Sequence, residues 1–174
     1  MKKKGIHLFF ALLFIAGCFN VFAQTHEPVE PLNWRELVPL LGNIKDWTAL
    51  GDAEGQTVSM MNFKTTQVER SYESGDKTLD INIIDGGYAP MVYQSIKMAM
   101  NFEMDTSEEY LKKTDIEGFP GFVKYTYEDK EAELMLLVAD RFIFQMSGEN
   151  MKDTSELVEI AKLFDLEALA KLAK

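Results

Sequence analysis

Four groups of residues in this sequence have types and spacings that could do chemistry. Ser74-Gly75-Asp76-Lys77 has the Ser-x-x-Lys spacing with which a lysine can activate a serine hydroxyl for attack. Glu69, Asp80 and Asp85 are acids that could gather on neighbouring strands as a calcium or acid–base site. Met98, Met100 and Met104 carry soft thioethers of the kind that bind Cu(I). Cys18, the only cysteine, follows Ile15-Ala16-Gly17, a pattern at which bacteria attach lipid.

Each group also has a plainer reading. A Ser-x-x-Lys pair works from a helix start, where the lysine reaches the serine from the next turn. Here Gly75-Asp76 lies between two strand-like runs and reads as a hairpin turn. Asp80 alternates with Leu79 and Ile81, the pattern of a solvated sheet face, and Asp85 reads as a partner of the turn beginning at Gly86. Calcium loops place several oxygen ligands within about a dozen residues, a density not reached here. On a helix Met98 points roughly 200° away from Met100, so only Met100 and Met104 share a side, and core filling suits them better than copper. The two histidines, His7 and His26, precede the expected domain. The usual nucleophile–base pairs and structural zinc sites therefore lack their residues. The sequence predicts no catalytic residue, cofactor or metal.

The N-terminus explains why His7 is set aside. Lys2, Lys3 and Lys4 precede an apolar run over 8–16, the anatomy of a secretory signal peptide. The run is far short of the roughly 20 residues of a membrane-spanning helix. Two cuts compete. Val21-Phe22-Ala23 before Gln24 suits an ordinary signal peptidase, whereas Cys18 suits lipidation. We adopt the cut after Ala23, with a lipid anchor on Cys18 as the alternative. The expected organisation is a signal peptide over 1–23, a flexible leader over 24–32 and one domain over 33–174. Removing three lysines takes 18 basic residues to 15 against 28 acidic ones, a net charge of −13. Such a charge repels nucleic-acid backbones and anionic lipid.

The elements that would position these residues follow from periodicity. Asn33 and Glu36 form a capping box for a short helix that Pro39 must end or kink. Strand signals cover 57–64, 67–73 and 79–83, and Pro90 opens a helix running to about Met104. Four further strands are expected over 109–117, 121–128, 132–139 and 141–147. Asp153-Thr154-Ser155-Glu156 reads as a second capping box for a terminal helix. The predicted fold class is α+β: one antiparallel sheet of about seven strands with helices packed on one face. Its inner face should include Leu79, Ile81, Ile83, Val123, Tyr125, Phe142 and Phe144.

This element order resembles the PsbP-type sandwich. Trp47, Glu69-Arg70-Ser71-Tyr72, Gly118-Phe119-Pro120-Gly121, Arg141-Phe142 and Phe164-Asp165-Leu166 also resemble a family of uncharacterised exported bacterial proteins. Neither resemblance implies an activity.

One helix carries the functional expectation. At 100° per residue the apolar residues of 90–104 span an arc of roughly 220°, about twice what packing on one sheet needs. Tyr93, Met100 and Met104 lie on the surplus edge. Either Trp34, Leu37 or Trp47 covers that edge, or it walls an apolar groove. The expected function is thus a non-catalytic exported envelope domain, periplasmic or extracellular, binding an apolar ligand or a protein partner. The alternatives are a hydrolase using carboxylates alone and a lipid-anchored lipoprotein with a structural role.

Overall fold

The computed structural model describes residues 29–60, 63–86 and 90–173. The signal peptide with Cys18, and leader residues 24–28, lie outside them. The Asn33 side chain accepts from the Arg35 N–H and the Glu36 carboxylate accepts from the Asn33 N–H, so the expected capping box starts α1 (Trp34–Leu37). Pro39 then confines the chain to a single 3-10 turn, Val38–Leu40.

The elements that follow are β1 (Thr48–Ala49), β2 (Glu54–Met60), β3 (Phe63–Ser74), β4 (Lys77–Asp85) and α2 (Pro90–Ala99). After them come β5 (Met104–Asp105), β6 (Glu109–Ile116), β7 (Phe119–Thr126), β8 (Glu131–Val138) and β9 (Phe142–Glu149). Two short helices, α3 (Ser155–Ala161) and α4 (Leu166–Lys171), end the chain. All strands join one antiparallel sheet in the order β1-β3-β4-β9-β8-β7-β6-β5, with β2 pairing β3 beside β1.

The expected α+β class is corrected by this architecture. The fold is β-rich: nine strands hold 46% of the described residues and only 19% are helical. β1 and β5 are two residues each, too short for a two-residue period to register. The helices are short because each is stopped early. α2 ends at Ala99, Met104 being a strand residue, and Asp165 caps α4 as a helix separate from α3. Nor do they share one face: α1, α3 and α4 pack on one side of the sheet and α2 on the other.

Alternation decides what each face holds. All seven residues expected on the inner face belong to the main core, with Leu37, Leu157, Leu166 and Leu169 packed among them. Trp34 and Trp47 pack against the same core, so neither they nor Leu37 covers the edge of α2. Trp34 packs on Gly55, where a Cβ would come within 2.7 Å of the ring. On the outer face, Tyr93 and Ile96 of α2 bury against Leu137 and Ile143, flanked by Ile84, Met100 and Met135.

At one end of the inner core sits a buried ion pair that joins four segments. Asp85 is 0% exposed and Arg141 7%. The Arg141 Nε and Nη2 donate to the two Asp85 oxygens at 3.1 and 2.8 Å. The Leu32 N–H also donates to Asp85, while Arg141 donates onward to the carbonyls of Glu30 and Leu172. Asp85 is therefore a buried core residue; the turn it was expected to partner, beyond Gly86, lies outside the described residues. The turn between β3 and β4 takes its geometry from a left-handed position, Gly75 (φ +67°).

Gly121 is another position set by close approach, because a Cβ there would lie 2.0 Å from the Met135 carbonyl oxygen of β8. Backbone in a central strand cannot move cheaply. Gly121→Ala should lower stability by about 3 kcal/mol in urea unfolding, the upper range of overpacking. Gly42→Ala, with no atom within 4 Å of its Cβ, should change it little.

Candidate functional site

Exposed apolar surface runs from the end of α2 through the chain that leads into β5. Residues at i, i+3 and i+7 share one side of a helix, which sets Tyr93, Ile96 and Met100 towards the sheet. The Tyr93 hydroxyl accepts from the Gly86 N–H at 3.1 Å, and burial pushes the phenol well above its ordinary range. Asn101 closes the helix by donating to the Lys97 carbonyl. With that stripe used, Met98 and Phe102 face water, 73% and 56% exposed. The two are neighbours along the chain as it leaves the helix, and together they present a large apolar surface to water.

Beyond Phe102 the chain drops into β5, whose two residues pair with Tyr110 and Leu111. Where β5 stops, an open groove of about 420 Å³ is lined by Glu103, Met104, Asp105, Leu111, Lys112 and Lys113. The Glu103 carboxylate accepts from the Lys113 backbone N–H at 3.4 Å, and Asp105 lies 3.9 Å from the Lys112 ammonium.

The three residues expected on the surplus edge are thus dispersed. Tyr93 is buried against the sheet, Met100 is half-buried beside Met135 and Leu137, and Met104 lines the groove. Met98 and Phe102 are the exposed pair, because the helix turns its Tyr93 side, not its Met98 side, to the sheet. The helical wheel contained that pair. Choosing between the two sides required knowing which one meets the sheet.

The other candidate chemistries are placed as follows. Ser74 and Lys77 are the ends of a hairpin, and the Lys77 ammonium pairs with Glu156 at 2.6 Å. Glu156 does not complete a capping box. The cap residue of α3 is Thr154, and Asp153 accepts from Ser155 instead, which holds its carboxyl below the usual range. Glu69 and Asp80 are exposed on strands β3 and β4 while Asp85 is buried with Arg141, so the three acids do not converge. Among the described residues, no group of three or more acidic, His or Cys side chains is placed to hold a metal ion.

No protein-family model, curated protein or solved structure matches this chain. Its function must be argued from the geometry. Among the described residues, no helix is long and apolar enough to cross a membrane.

One polar strip crosses the outer face, and sequence reading missed it. Lys124 of β7 sits between Glu109 of β6 at 3.1 Å and Glu133 of β8 at 3.6 Å. The strand register, which places Lys124 opposite both Leu111 and Glu133, was the only signal for it. Desolvation raises the Glu133 carboxyl above its ordinary value, against the pull of Lys124. A carboxyl raised in the folded state costs stability as pH climbs from its unfolded value through its folded one. Glu133→Gln removes that cost. Its stability relative to the unmodified protein should therefore rise as pH climbs out of the ordinary carboxylate range in parallel urea unfolding.

Proposed function

We propose that this protein is an exported, non-catalytic envelope module that binds a protein partner along the surface that runs from the end of α2 into the groove beside β5 and β6. The observation that carries the reading is the exposure of Met98, near the end of α2, and of Phe102, three residues past it, while Tyr93 and Ile96 of the helix are already buried on the sheet. Methionine adapts its shape to a partner, and an aromatic ring supplies a large contact at small entropic cost. The adjoining groove favours a protein over a small apolar ligand. Small-ligand sites enclose most of their occupant, whereas this groove is open and mixes Met104 and Leu111 with two acids and two lysines. The net charge of −13 left after the signal peptide is removed favours a partner with a basic surface. The periplasm or the exterior is the proposed location, reached through the signal peptide, with a lipid anchor at Cys18 as the alternative route to the envelope.

The test is cross-linking in the producing cells, followed by mass spectrometry of what is joined to residues near Phe102. Met98→Ser/Phe102→Ser alters only exposed side chains, so its melting temperature should match that of the unmodified protein. Its affinity for the cross-linked partner should fall about tenfold or more. An unchanged set of cross-links, or a large loss of stability, would remove the basis of the proposal.

A further inference from the structure

The opposite edge of the sheet carries an independent feature. β2 pairs with β3 over its whole length, Glu54 to Glu69 through Met60 to Phe63. Among the described residues, no backbone hydrogen bond reaches its other side. Residues Glu54, Gln56, Thr57, Val58 and Ser59 are exposed, as is Leu50 just before the strand. A strand edge of this length offers a row of unpaired N–H and C=O groups to another chain.

The two edges of the sheet are treated differently. On the far edge, β5 covers the start of β6, Lys112 and Lys113 follow, and the Glu103 carboxylate occupies the Lys113 N–H. These are devices that keep an edge from pairing. β2 has none of them: Glu-Gly-Gln-Thr-Val-Ser-Met contains no lysine, no proline and a single charge at its first position.

We propose that β2 pairs antiparallel with β2 of a second copy of this chain, about a two-fold axis at Thr57. That register is self-complementary. Thr57 meets Thr57, Gln56 meets Val58, Gly55 meets Ser59 and Glu54 meets Met60, so no like charges are directly opposed. Pairing β6 with itself about Lys112 or Lys113 would instead set lysine against lysine. The acidic character of the whole chain opposes association at long range, so the dimer should strengthen as salt screens it.

Sedimentation velocity over a concentration series, on protein recovered after export, tests this. The unmodified protein should show a concentration-dependent dimer. Gln56→Lys/Val58→Lys sets lysine opposite lysine twice on exposed positions, and should weaken the dimer about tenfold or more with little change in melting temperature. Met98→Ser/Phe102→Ser should dimerise as the unmodified protein does, which separates this edge from the partner surface. A protein that stays monomeric up to about 100 µM, or a lysine variant that dimerises unchanged, would overturn the proposal.

Discussion

A single buried salt bridge ties the architecture together. Removing two charges from water costs several kcal/mol for each ion, and only good geometry with full hydrogen bonding offsets it. Asp85 and Arg141 meet that condition. The guanidinium grips both carboxylate oxygens, and its remaining hydrogen bonds reach backbone carbonyls at the two ends of the domain. The carboxylate takes the Leu32 N–H as well. Arg141 also lies over the Phe142 ring, 5.1 Å from its centre, which fixes the plane of the fork. The segment at 30–32, the end of β4, the turn before β9 and the end of α4 thus meet at one charge pair.

What this arrangement leaves open matters as much as what it holds. With both terminal segments anchored on the inner face, only α2 serves the outer one. A ten-residue helix covers Ile84, Ile143 and Leu137, and beside them the face carries the polar strip of Glu109, Lys124 and Glu133. The chain between β4 and β6 must cross from the middle of the sheet to its edge. That crossing carries Phe102 directly into the segment that forms β5 and its groove. The groove beside β5 and the unguarded β2 edge sit at opposite ends of one sheet, so binding at one does not compete sterically with pairing at the other.

Much of this was legible from period two alone. Leu79, Ile81 and Ile83 announced the inner face of β4, and Phe142 and Phe144 that of β9. The same rule placed Asp85 inside, since it follows Ile83 by two, but a carboxylate beside glycines reads more naturally as a turn. Only a partner 56 residues away makes its burial possible, and local pattern carries no such information. The stubs β1 and β5 exist because long neighbours offer a ladder, which overrides the weak strand tendency of two residues. Met104 moved from helix to strand for that reason. The helical wheel of α2 showed an excess of apolar surface, yet which side stays wet depended on the sheet beneath it.

Hydrogen exchange on Asp85→Asn tests the central claim most directly. The substitution keeps the shape of the side chain but removes the charge that Arg141 grips. If the pair holds both termini to the sheet, amides around Leu32 and in α4 should lose protection together, while β7 and β8 keep theirs. Uniform loss across the sheet, or protection unchanged at both ends, would show that the terminal segments are held by packing and that the ion pair does not organise the fold.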